Sequence, residues 1–264
     1  MFLVGFFYLV AIMKNILIKK KLIVLSLLLV LMISNFVISF AYWASSISGN
    51  TDNSDGSVGI GEWLDGTQIW NTNDFVQMII TDNNTGVYSL AVDLDFQNIK
   101  PAAWTQTKDT IFMGTFDCGN KTISNINLDD FRCIFGVLEG ATIKNCVIDN
   151  ANIDYTLNDN YTSGILAGRL QGTGNLIENI TISNSSMTNT NVMSGGLIGY
   201  ASPLSGTGTA TIKDITLTNT VVSGGYSNAS YGNGGLIATV NNFALDIENA
   251  NVQVDVTSTN NSNV

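Results

Sequence analysis

The 264-residue chain has no histidine, two prolines, two arginines (Arg132 and Arg169) and three cysteines. Each shortage removes a class of chemistry. Without histidine, neither a Ser-His-Asp nor a Cys-His nucleophile can be assembled. Zinc sites use histidine or closely paired cysteines, and Cys118, Cys133 and Cys146 are too widely spaced, so neither a metal nor another cofactor is expected. Two arginines leave little for the cationic base or substrate clamp of a polysaccharide lyase. Charged residues make up only 12% of the chain, with a net charge of −10. Residues 1–41 hold four lysines and no acid, so the remainder sets seven basic against 21 acidic residues. A surface of that sign does not suit nucleic acid or anionic membrane.

What is present instead is repetition. The phrase Ile177-Glu178-Asn179-Ile180-Thr181-Ile182 returns as Ile123-Ser124-Asn125-Ile126-Asn127-Leu128, Ile143-Lys144-Asn145-Cys146-Val147-Ile148, Ile212-Lys213-Asp214-Ile215-Thr216-Leu217 and Ile247-Glu248-Asn249-Ala250-Asn251-Val252. The lead isoleucines are separated by 20, 34, 35 and 35 residues. A near-constant period signals stacked supersecondary units. Apolar residues hold the first, fourth and sixth places, which suits short strands with one buried face. The third place is Asn125, Asn145, Asn179, Asp214 and Asn249, and Asn or Asp tolerates the left-handed backbone of a tight bend. These features indicate an all-β, right-handed parallel β-helix of about five rungs with an asparagine ladder along it. In the second place, Lys144, Glu178, Lys213 and Glu248 alternate in sign, as facing rungs require. Burying one Ile stabilises by roughly 1.5–3 kcal/mol and an exposed ion pair by ~0.2–1 kcal/mol. The apolar columns therefore carry the stability, and the charges carry the register.

A second phrase precedes the later anchors: Gly164-Ile165-Leu166-Ala167-Gly168, Gly195-Gly196-Leu197-Ile198-Gly199 and Gly234-Gly235-Leu236-Ile237-Ala238, with Ile134-Phe135-Gly136 as a shorter form. Its apolar pairs would build a second wall, with glycines turning the backbone at each end. No strand-to-helix context or P-loop lysine follows, which argues against a phosphate cradle. On these residues the chain resembles the GLUG-motif family of bacterial secreted and surface proteins, named for Gly-Leu-large-Gly. That resemblance implies an adhesin-like β-solenoid.

At the N-terminus, Lys14 and Lys19 to Lys21 precede an apolar run from Leu22 to Phe40, and Ser39-Phe40-Ala41 forms a cleavage site. Residues 1–41 read as a secretory signal peptide whose true start is Met13; an uncleaved anchor over 22–40 is the alternative, and the only membrane contact expected. Ala41-Tyr42-Trp43-Ala44 resembles the ending of camelysin and TasA-like signal peptides. Residues 42–71 read as a linker or lead-in, and 72–264 as the repeats. Thr72 is the expected N-cap of a short helix that carries Asp74, Phe75, Met78 and Ile79 and caps the coil.

The stretches Tyr88–Phe96 and Phe112–Asp117 resemble the lead-in rung of bacterial surface solenoids, except that Cys118 stands where that pattern carries Gly. Cys146 falls in an apolar column and reads as a small buried residue, while Cys118 and Cys133 could pair if their rungs are adjacent. The pairs Asp93 with Asp95 and Asp129 with Asp130 could in principle bind calcium or hydrolyse glycosides; their spacing favours structural use. Segments 158–163, 200–209 and 224–232 are rich in Ser, Thr, Asn, Gly and Tyr, a composition suited to polar ligands. The expected function is a secreted or cell-surface, non-catalytic, adhesin-like module that binds a host or matrix glycan or protein. The alternatives are a carbohydrate-active enzyme on the same scaffold and a structural spacer. The chain stops without a cap, sorting signal or anchor, as expected of a piece of a longer protein.

Overall fold

The computed structural model describes residues 66–104, 109–129, 133–155, 162–189, 193–224 and 232–258. They belong to the compact unit Leu64–Val264; the unit Met1–Trp63 lies outside them, as do the expected signal peptide, the Met13 start, Asp130 and Arg132. Among the described residues there are nineteen strands and one helix, and the strand pairings are parallel. The architecture is all-β and parallel β-helix-like.

A central rung shows how the sequence makes one turn of the coil. The strand Ala167–Gln171 ends at a turn with Gly172 and Gly174 at positive φ, and Asn175–Ser183 follows, bent at Asn179. Asn184 makes a second corner before Ser186–Asn189, and Ser194–Gly195 opens the next rung. In an extended strand every second side chain points inward. The left-handed Asn179 interrupts that alternation, so Ile177 and Ile180, three apart, are both buried while Glu178 and Asn179 face outward. The inward columns are in register: Ile143, Ile177, Ile212 and Ile247 on one face, then Ile148, Ile182, Leu217 and Val252 on the next. A separate five-stranded sheet, running from Ile111–Phe112 through Phe135–Glu139, Ala167–Gln171 and Ile198–Ala201 to Ile237–Val240, makes the opposite wall.

Register corrects one repeat. Ile123 pairs with Ile148, not Ile143, and the residue beneath Ile143 is Phe116. The cause is an expanded corner: Asp117 faces Lys144 and Thr122 faces Val147, so four residues of one rung span what Asn145 and Cys146 span in the next. The step before Ile143 is therefore longer than the 20 residues the phrase suggested. Ile126 shifts as well, to the column of Ala151, Ser185 and Thr220.

The coil also starts earlier than the composition of 42–71 suggests. Thr67–Ile69 joins the large sheet as its first strand, paired with Val87–Leu90. The helix Thr72–Ile80 follows, and its N-cap is Asn71 in place of the expected Thr72. Asn71 has extended backbone and its Oδ1 accepts from the Asp74 amide at 3.0 Å, while its Nδ2 donates to Asp74 Oδ2. That reciprocal pair also sets an acid at the positive end of the helix dipole. Phe75, Val76, Met78 and Ile79 are buried, and the Phe75 ring lies 5.6–6.5 Å from those of Phe96, Trp104, Phe116 and Phe135. Large rings fill the space at this end, where the rungs are shorter and irregular.

Buried Asn84 ties helix to sheet, donating to Met78 O and accepting from the Gly86 amide and the Tyr88 hydroxyl. At the other end the last rung is one residue shorter at its second corner, and its strand Phe243–Ser258 runs through it.

Candidate functional site

The structure separates the expected asparagine ladder into two. At the first corner Asn120, Asn145, Asn179, Asp214 and Asn249 all adopt positive φ. Asn179 Nδ2 donates to Asn145 Oδ1 and Asn120 Oδ1, and Asn249 Nδ2 donates to Asp214 Oδ1. Asn125 stands at the second corner instead, with Asn150, Asn184 and Asn219. There Asn150 donates to Asn125, and Asn219 to Asn184. The second ladder was visible in the sequence as an Asn five residues after Asn145, Asn179 and Asp214.

Asp214 can accept within its ladder but cannot donate. Asp214→Asn supplies a donor facing Asn179 without changing shape, and should raise stability by roughly 0.5–1.5 kcal/mol in urea unfolding. A loss of stability would place the value of Asp214 in its attraction for Lys213.

The charge column begins with Asp117, not Ser124, and runs Asp117, Lys144, Glu178, Lys213, Glu248. Lys144 Nζ lies 3.2 Å from Asp117 and Lys213 Nζ 2.8 Å from Glu178. The Glu178 hydrogen bond and charge hold the Lys213 pKa above its ordinary value. Burial pushes the Asp117 carboxyl up, but hydrogen bonds from Asn145, the Gly119 amide and Lys144, with the lysine charge, outweigh it and leave the pKa lowered. A depressed folded pKa contributes stability above the unfolded value of about 3.9 and loses it as pH falls through the folded value. Urea midpoints of the native chain should fall across that window, and Asp117→Asn should flatten the fall.

The three cysteines are arranged differently from the expectation. Cys118 and Cys146 form a disulfide with Cα atoms 4.8 Å apart, and Cys133 is not part of it. Cys146 is buried in the Ile180 column as expected, but as half of a bridge rather than as an apolar thiol. The expanded corner brings Cys118 over it, since the Cys118 amide donates to Lys144 O and the Asn120 amide to Asn145 O. Gly119, not residue 118, supplies the turn glycine, at φ 56°. Cys133 is buried at the glycine corner, where a Cβ on Gly168 would come within 3.1 Å of its sulfur.

That corner brings together Gly164, Gly168, Gly195, Gly196, Leu197, Gly199, Gly234, Gly235 and Leu236. The chain bends at 165–166, 196–197 and 235–236, and none of these glycines has positive φ; at Gly164, Gly195, Gly196, Gly199 and Gly234 the backbones approach too closely for a Cβ. A Cβ on Gly195 would sit 2.0 Å from Ile198 O, and one on Gly196 2.0 Å from Gly235 O. Ile165, Leu166 and Leu197 are fully buried, and the Leu166 and Leu197 amides donate to Leu197 O and Leu236 O of succeeding rungs.

The acidic side chains expected as a candidate site hold neighbouring turns and strands together. Asp93 accepts from the Thr122 amide, and Asp95 from the Gln97 amide and Asn125, bonds that lower the Asp95 pKa. Asp149 accepts from Ser183 and Asn184. The Asp129 side chain and Asp130 lie outside the described residues. No group of three or more metal-ligating side chains occurs among the described residues. Arg169 donates to Ser202 O at 3.0 and 3.1 Å and lies over the Tyr200 ring, so its guanidinium is engaged within the fold.

Part of the outward surface is hydroxyl and amide. Thr181, Thr216 and Asn251 form one column and Ser183 and Thr218 another, on strands about 4.8 Å apart. Before the first corner, on the face that carries the Glu178, Lys213 and Glu248 column, an open cleft is lined by Asn175, Leu176, Thr209, Thr211, Leu245 and Asp246, of which Asp246 is the only carboxylate. Of the three polar segments, 200–209 is described; 158–161 and 225–231 lie outside the described residues. Leu204 is exposed, and the Asn242 side chain donates to Gly206 O. No protein-family model, curated protein or solved structure matches the chain.

Proposed function

We propose that the chain is an exported, non-catalytic surface module of the GLUG-motif, adhesin-like kind, which binds a polar ligand such as a glycan or a host-matrix protein. One observation carries the reading. The lining of the cleft offers threonine, leucine and a single carboxylate, Asp246, whereas glycoside hydrolysis uses two carboxyl groups about 5–9 Å apart. The Thr209 and Thr211 hydroxyls, held on strands, give oriented hydrogen bonds, and Leu176 offers apolar surface to a sugar face or peptide. The Cys118–Cys146 disulfide supports an oxidising compartment, in keeping with a signal peptide over residues 1–41.

The reading is tested by screening the whole chain on arrays of glycans and matrix proteins, then repeating any positive with Thr211→Val and Asp246→Asn. Both side chains face outward and leave the inward columns untouched. Each should weaken binding by up to about tenfold, the worth of one hydrogen bond. Unchanged affinity in both variants would remove the cleft as the binding site.

A further inference from the structure

We infer that the cleft receives an unbranched amino-sugar chain lying along the coil axis, with an unsubstituted ammonium group at Asp246. The inference rests on the binding reading above and narrows it to one class of glycan. Its first support is the way the cleft is built. Three successive rungs each contribute the same positions: Leu176, Thr211 and Asp246 stand in one outward column, and Gly174, Thr209 and Ala244 stand two residues before them. Rungs lie about 4.8 Å apart, so the three span roughly 10 Å along the axis. That step is close to the length by which a β-linked hexose chain advances per sugar, so a linear chain can set one sugar against each rung. Gly174 keeps the groove open, since a Cβ there would meet no atom within 4 Å. The walls are side-facing positions of these rungs, and stacking along the axis neither makes nor closes the cleft.

Hydrogen bonding and charge select the sugar. Thr209 Oγ1 accepts from the Gly174 amide at 2.8 Å, which leaves its hydroxyl proton for an acceptor on the ligand. Leu176 is partly buried and presents an apolar edge to a ring face. Asp246 is exposed and is the only charged group in the lining. The bases of the adjoining outward column are already engaged, Lys144 with Asp117 at 3.2 Å and Lys213 with Glu178 at 2.8 Å. A uronate, sulfate or sialate would therefore meet a carboxylate in the cleft and paired lysines beside it, within a chain whose net charge is −10. An ammonium meets attraction instead, and a hexosamine without its acetyl group carries that ammonium on the ring itself.

The test titrates the full chain with the dimer, trimer and tetramer of β-linked glucosamine, with their N-acetylated counterparts, and with an oligogalacturonate of matching length. Calorimetry at low salt, at a pH where the amine is protonated, reads the affinities. Affinity should rise from dimer to trimer and then level off. The glucosamine trimer should bind up to about fivefold more tightly than the N-acetylated trimer, and the oligogalacturonate should not bind. Asp246→Asn should erase that preference, and Thr211→Val should weaken both trimers alike. Asp255→Asn, which removes an acid from the face beyond the second corner, should keep the preference. Equal binding of the two trimers to the native chain, loss of the preference in Asp255→Asn, tighter binding of the acidic oligomer, or no binding of any glucosamine oligomer would each overturn the inference. If in that last case an array ligand is still weakened by Thr211→Val, the cleft remains a binding site and only the ligand class falls; if none is, both fall.

Discussion

Ile180→Asp is expected to abolish cooperative unfolding. Ile180 is fully buried between Cys146 and Ile215 in adjacent rungs. The substitution forfeits roughly 1.5–3 kcal/mol of apolar burial and places a carboxylate where no cation reaches, which costs several kcal/mol more or forces the group to protonate. Against a typical total of about 5–15 kcal/mol, that loss leaves little of the folded state. Glu178→Gln, two residues away, is the matching control. Its partner Lys213 is close, at 2.8 Å, yet both side chains are about one-third exposed, so the pair contributes less than about 1 kcal/mol. Circular dichroism during urea unfolding separates the two cases, and equal effects would reverse the inward and outward assignments.

The second large effect is expected on reduction of the Cys118–Cys146 disulfide. The bridge closes a segment of 28 residues, and the loop-entropy relation gives about 3–4 kcal/mol of stabilisation for a loop of that size. The effect should be felt most at the expanded corner, where Gly119 and Asn120 both adopt left-handed backbone. Hydrogen exchange of the Cys118 and Asn120 amides, which donate to Lys144 O and Asn145 O, should accelerate on reduction before that of the Ile212 and Ile215 rung. Uniform acceleration would mean that the bridge stabilises the coil as a whole.

The fold was legible because two simple signals coincide. A left-handed Asn resets strand alternation, and the isoleucines on either side of it repeat at 34 or 35 residues. The misplacement of Asn125 has a physical origin in the same rule. Both corners need an apolar-polar-Asn turn, so Ile148-Asp149-Asn150-Ala151-Asn152-Ile153 at the second corner reads much like Ile143-Lys144-Asn145-Cys146-Val147-Ile148 at the first. Ile123-Ser124-Asn125-Ile126-Asn127-Leu128 matches both phrases, and only strand pairing decides between them. The disulfide was illegible for a related reason, since the four-residue corner that lifts Cys118 over Cys146 has no counterpart in the later repeats.

The glycines were recognised as turn residues, but their second need was not. Close approach of neighbouring backbones leaves no mark in a sequence that distinguishes it from a turn. At the candidate site, the composition of the surface was readable, whereas the cleft was not, because Asn175, Thr209 and Leu245 meet only through the stacking of three rungs.

The most direct test of a non-catalytic binding surface is a paired assay on one polysaccharide that the whole chain retains, following bound fraction and chain cleavage in the same sample. Retention with no new reducing ends and no unsaturated products over many dissociation times is the expected result. Steady product release that scales with protein and vanishes in Asp246→Asn would contradict it, and would make the cleft that of a carbohydrate-active enzyme.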